Sequence, residues 1–180
     1  MLDSRLSHMS NIEGVRFIST EDIEVANRLP GHTEFRGVLK SGEKVVCVPL
    51  QTMYKEETPR IVSVYASLSN SLHVQKFFGV LKERDKKEFA VMEDLLSQTV
   101  HTLKDARTQV NFISASQQCK IRLCYEIANT VAFLHSVNLV VKIISDSSIY
   151  LRFQDEDILP IFADLESARL VCPYITSHRN

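Results

Sequence analysis

Tryptophan is absent, glycine and proline occur five times each, and aromatic residues make up only 8% of the 180 residues. So little glycine and proline excludes collagen-like and low-complexity chains. Charge of one sign is missing too, because 21 basic and 22 acidic side chains leave a formal net charge of −1. A dedicated nucleic-acid binder carries a basic excess or stripe, so that class is excluded, though a local patch is not. Long hydrophobic runs are also lacking. The most apolar stretch, residues 131–144, is interrupted by His135, Asn138 and Lys142, whereas a membrane span needs about 20 mainly apolar residues. The start, Met1 to Arg5, has no signal-peptide core, and Leu2 excludes N-myristoylation. No CxxC pair occurs among Cys47, Cys119, Cys124 and Cys172. Three of the four sit in apolar patterns, so they are expected to be buried free thiols in a cytoplasmic protein.

Hydrophobic residues at 44% and charged residues at 24% are ordinary for a globular chain and exclude disorder as the main state. The length fits one medium domain or two small lobes. Residues 1–13 are polar and aperiodic and are expected to form a flexible leader. From Ile23 to Val48 three short strands are expected as a meander, with a turn at Lys40-Ser41-Gly42-Glu43. Ile61, Val64, Tyr65 and Leu68 fall at i, i+3, i+4 and i+7, a helical stripe. Pro59 sits near that helix's start, where its missing N–H costs least. Val74 to Val80 and Phe89 to Met92 predict a hairpin around the charged turn 83–87. Thr99 to Ala106 predicts a short helix. Gln117 to His135 predicts a long one, capped by Ser114 or Ser116 and largely buried along a broad apolar stripe. Two short strands, 149–151 and 158–162, close the pattern, and Asp164 follows directly.

Four segments then point to one family. Ala132 to Val140 resembles the end of the long helix before the catalytic loop of protein kinases. Asp164 to Leu170 resembles the metal-binding DFG segment. Leu68 to Gly79, ending in Val74 to Gly79, resembles the fourth strand of the small lobe, and Phe89 to Leu95 the fifth strand and hinge. The resemblance covers about residues 14 to 172. It implies an α+β, protein kinase-like fold, with a five-stranded antiparallel small lobe carrying one helix. An incomplete, mainly helical large lobe would follow, cut off after the DFG-like segment. The implied division is 14–94 for the small lobe and 95–180 for the partial large lobe.

The same resemblance allows each catalytic position to be inspected. Phosphoryl transfer needs phosphates cradled, a metal held and a nucleophile positioned. Of the Gly-rich loop only Gly31 remains within the loop, and Glu34 adds negative charge there. The lysine of the third strand is replaced by Pro49, which has neither charge nor donor. Lys44 cannot substitute, because an odd spacing puts it on the opposite face of the strand. Lys55 lies beyond that strand. The glutamate that would pair with the lysine belongs at 60–62, which reads Arg60, Ile61 and Val62. The catalytic base position is Ile143, the second-metal asparagine position is Ser148, and Lys142 keeps a positive charge beside them. Asp146 is the nearby carboxylate, read as a displaced base or as an ordinary loop residue. Asp164 is retained as a candidate metal ligand, with Glu166 in place of the DFG glycine.

The losses imply a catalytically inactive, pseudokinase-like module of cytoplasmic signalling that works through protein partners, an active kinase or another signalling protein. Its one candidate cofactor is ATP with Mg²⁺, in a pocket lined by Gly31, Met92, Glu93 and Leu95, with the metal at Asp164. Two alternatives stand beside this reading: a divergent kinase using Asp164 and Asp146, and a truncated relic.

Overall fold

Alternation along the chain builds the first sheet. In the strand Phe35–Leu39, Phe35, Gly37 and Leu39 are buried while Arg36 points to solvent, the two-residue period of a half-buried strand. The computed structural model describes residues 15–27, 34–50, 58–83, 87–97, 100–141, 143–154, 157–165 and 168–170. Two compact units divide the chain, 1–100 and 101–180. The expected leader at 1–13 and the loop holding Gly31 lie outside the described residues.

In the first unit the strands are β1 (Phe17–Ile18), β2 (Ile23–Asn27), β3 (Phe35–Leu39), β4 (Lys44–Pro49), β5 (Phe77–Lys82) and β6 (Glu88–Glu93). They form one six-stranded sheet in the order β1-β5-β6-β4-β3-β2. The β3–β4 turn closes where expected, with Gly42 at φ 96° and its N–H donating to the Leu39 carbonyl at 2.7 Å. Helix α1 (Thr58–Leu68) follows β4 in the chain, with Pro59 in its first turn. All four residues of its apolar stripe, Ile61, Val64, Tyr65 and Leu68, are buried. Tyr65 stacks on Phe77 of β5 at 6.0 Å. A second cluster includes Ile18, Ile23, Leu39, Val45 and Val91, with Phe35 and Phe89 in edge-to-face contact at 5.1 Å. Such ring geometry adds to the stabilisation from area burial alone.

The second unit has its own strands. β7 (Val100–Thr102) begins at the unit boundary, and with β9 (Ile149–Gln154) and β10 (Asp157–Phe162) it forms a three-stranded sheet in the order β10-β9-β7. β10 is an edge, which is where Pro160 can be tolerated. β8 (Leu139–Val140) and β11 (Arg169–Leu170) pair antiparallel. Two short helices, α2 (Leu103–Ala106) and α3 (Val110–Ser114), precede the long helix α4 (Gln117–Ser136). Ser116 caps α4, its hydroxyl accepting from the Cys119 N–H at 3.1 Å. Asn138, at φ 59°, takes the left-handed conformation just beyond the helix end, a position asparagine fills at lower cost than most residues.

Several expectations are corrected. The predicted five-stranded antiparallel sheet has six strands, because β1 adds at the edge and runs parallel to β5, Phe17 opposite Val80 and Ile18 opposite Leu81. The predicted mainly helical second part is instead rich in strand, with a three-stranded and a two-stranded sheet beside its helices. This overturns the expected kinase-like fold class. Within the predicted helix 99–106, Val100–Thr102 are strand and Leu103–Ala106 are helical, while Thr99 lies outside the described residues. Helix α4 is less buried than its apolar content predicts: Leu123, Thr130 and Leu134 are buried, while Ile121 and Tyr125 are 62% and 63% exposed. Of the cysteines, Cys47 is buried as expected but Cys124 is exposed. Among the described residues no helix is long and apolar enough to cross a membrane.

Candidate functional site

The residues singled out from the sequence fall in both units, and each set is best built from its own backbone. In the first unit Pro49 ends β4, opposite Phe89 of β6. Arg60, Ile61 and Val62 lie in α1, the last two buried. Neither position offers the ion pair of an active phosphotransferase. Met92 is buried within β6, paired with Val46 on one side and Phe77 on the other. Glu93 follows, and its main chain is engaged: its N–H donates to the Lys76 carbonyl and its carbonyl accepts from Gln75 Nε2, both at 2.9 Å. Gln75 is itself buried, so its amide is held where it makes this bond. Asp94 is buried beside the exposed Arg36, 3.4 Å from its guanidinium, and accepts from the Leu96 N–H. Leu95 is buried and opens a single 3₁₀ turn, Leu95–Ser97. The segment is thus fixed by groups that sequence reasoning did not single out, Gln75 and Arg36.

In the second unit the structure brings together the loop 143–148 and the residues around Asp164. Ile143 is 64% exposed and carries only an alkyl chain. It can neither accept a proton nor orient a hydroxyl. Ser148 is spent locally: its Oγ donates to the Ser145 carbonyl at 3.0 Å and accepts from the Ser145 N–H at 3.0 Å. In return the Ser148 N–H donates to Ser145 Oγ at 3.1 Å. This reciprocal serine turn closes the loop and leaves its hydroxyl poorly placed to hold a metal. Asp146 is the remaining carboxylate, and Arg107 engages its Oδ2 through Nη2. Its main-chain carbonyl also accepts from the Lys104 N–H at 2.9 Å. Arg107 stands 39 residues earlier in the chain, so no local motif could have revealed the pair. Lys142 and Glu166 lie outside the described residues.

Asp164 is tied to this loop through its neighbour, because the Ala163 N–H donates to the Ser148 carbonyl at 2.9 Å. Its backbone is left-handed, at φ 57°. Ala163 and Leu165 on either side are buried while Asp164 itself remains exposed. Partial burial still pushes its carboxyl above the ordinary aspartate range, because desolvation disfavours the charged form. Tyr150 of β9 senses the same surroundings: burial, then the charges of Asp164 and Asp105, push its hydroxyl up. Among the described residues no three His, Cys, Asp or Glu side chains converge on a point. A divalent cation favours ionised oxygen ligands. Ser148, whose hydroxyl is already closed into its turn with Ser145, is poorly placed to join Asp164 in such a ligand set. A cleft of about 490 Å³ opens elsewhere in this unit, lined among others by Asn111, Ser116, Cys119 and Asp157. Its acidic group is already paired, Asp157 with Arg122 at 2.7 Å. No protein-family model matches the chain, and no curated protein matches it.

Proposed function

We propose that this chain is a non-catalytic relative of protein kinases, an interaction module of signalling that acts by presenting surfaces to protein partners. The observation that carries this reading is the state of the loop 143–148. The position for a base is the exposed alkyl chain of Ile143. The loop's own carboxylate, Asp146, is engaged by Arg107. The hydroxyl of Ser148 is closed into a turn with Ser145. Positioning and electrostatic stabilisation are the largest contributions to phosphoryl transfer, and these groups supply neither. The resemblance of Ala132 to Val140 and of Asp164 to Leu170 to kinase motifs supports the family reading. ATP, with or without Mg²⁺, remains a candidate structural ligand of this module, and a cytoplasmic location belongs to the same reading.

The test is a phosphotransfer assay on the purified chain with labelled ATP, Mg²⁺ and a generic protein acceptor, run beside thermal unfolding with and without nucleotide. The expected result is no transfer above the level of an Asp164→Ala variant. A ligand present at about a hundred times its Kd would add about 2.7 kcal/mol and raise the midpoint by several degrees. A nucleotide shift without transfer fits a nucleotide-stabilised module, and no shift fits one that ignores nucleotide. Transfer that disappears in Asp164→Ala overturns the proposal in favour of a divergent kinase.

A further inference from the structure

Helix α4 exposes a stripe whose spacing is that of a helix-pair seam. Gln118, Ile121, Tyr125, Ala128, Ala132 and His135 are separated by 3, 4, 3, 4 and 3 residues, and all six are exposed. That alternation is the a/d repeat of a coiled-coil seam. It runs most of the length of a 20-residue helix, which spans about 30 Å. Its charged neighbours are turned away from the seam. Lys120 Nζ donates to the Ile113 carbonyl at 3.1 Å, Arg122 pairs with Asp157 at 2.7 Å, and Glu126 is half-buried on the protein side. The seam therefore carries no fixed charge, and a charged partner would find no counter-charge on it.

We propose that the partner of this face is a second copy of the chain, docked antiparallel through α4 about a two-fold axis between residues 126 and 127. Antiparallel pairing at that centre joins residues whose numbers sum to 253. Tyr125 then meets Ala128 of the second copy and Ile121 meets Ala132, so each large side chain falls against a small one. The outermost layer sets Gln118 against His135, two groups able to hydrogen-bond at the rim. Large-against-small layers interdigitate without voids, and an apolar centre with a polar rim is the ordinary anatomy of an interface. A two-fold contact requires one patch to be complementary to itself, and this order of sizes satisfies that condition. A parallel pair would set Tyr125 on Tyr125 and Ala128 on Ala128, leaving a clash and a gap. The inference stands on α4 alone and does not depend on the kinase resemblance.

The test is sedimentation equilibrium of the full chain over a range of concentrations, with three further samples. The unaltered chain is expected to dimerise. Ala128→Glu, which sets a carboxylate against the Tyr125 ring, is expected to abolish the dimer, and Tyr125→Lys alone is expected to weaken it. An equimolar mixture of the two variants is expected to recover a dimer, because the introduced lysine and glutamate face each other only in the antiparallel register. Recovery also shows that both variants are folded. A chain that stays monomeric at every concentration, a dimer indifferent to Ala128→Glu, or a mixture that fails to re-form would each overturn the proposal.

Discussion

Asp164 combines a left-handed backbone at φ 57° with a carboxyl whose pKa is raised by burial. Aspartate and asparagine tolerate that conformation better than other non-glycine residues, so Asp164→Asn removes the charge without altering the backbone. The sign of the effect follows from linkage. Below the ordinary aspartate pKa of about 3.9 the group is protonated in both folded and unfolded chains, and it contributes no difference. As pH rises through that value the unfolded chain ionises first. The folded state then loses stability until its own raised pKa is passed. Asp164→Asn is therefore expected to raise the thermal midpoint at pH 7 in metal-free buffer, with the gain shrinking to nothing below about pH 4. A midpoint at pH 7 equal to or below that of the unaltered chain would show that the carboxylate is held by a stabilising partner instead. The residue is singled out in the sequence by the resemblance of Asp164 to Leu170 to a DFG segment. Its environment could not be read there, since burial at 164 depends on how Ala163 and Leu165 are covered.

Elements whose periodicity is internal were legible before the structure: α1 from its stripe, α4 from its apolar spacing and Ser116, the β3–β4 turn from Gly42. Elements that exist only through a distant partner were not. β1 is two residues long and is defined by pairing with β5, about sixty positions further on. β8 and β11 are likewise two residues each and define one another. The site divides the same way. Pro49 and Ile143 declared their chemistry by residue type, whereas the engagement of Asp146 by Arg107 and the Ser145–Ser148 turn depend on closure of the chain. The join of β1 to the sheet rests on one glycine. Gly79 sits at an irregularity in the β5–β6 register, at φ 146°. A Cβ there would lie 2.2 Å from the Arg16 carbonyl oxygen, the same oxygen that accepts from the Val80 N–H at 2.9 Å. A backbone conformation of this kind costs a non-glycine residue about 1–3 kcal/mol, and the clash adds to it. Gly79→Ala is expected to displace β1. The reading is faster hydrogen exchange at Val80 and a lower thermal midpoint, with β3–β4 protection retained. Unchanged exchange at Val80 would mean that β1 does not need this close approach.

Across the whole chain the balance of charge sets how copies meet. The formal net charge of −1 at pH 7 with His neutral and a sequence pI near 6.6 leave almost no net repulsion between molecules in neutral solution. Below that pI the chain is net positive, and above it net negative. Little net charge favours association and precipitation, and charge of either sign opposes them. Solubility is therefore expected to pass through a minimum near pH 6.6 and to recover on either side of it. The same absence of repulsion leaves the uncharged α4 seam free to pair. The two kinds of association are separated by salt. Added salt screens charges over about 8 Å at 0.15 M and weakens repulsion between like-charged copies, so it lowers solubility on both flanks of the minimum. A contact made of Ile121, Tyr125, Ala128 and Ala132 carries no charge to screen. Light scattering at pH 8, in low and high salt, is expected to show a second virial coefficient that falls with salt while the molar mass of the dissolved species holds constant. A molar mass that fell as salt rose would place charged groups in the contact and exclude the neutral seam.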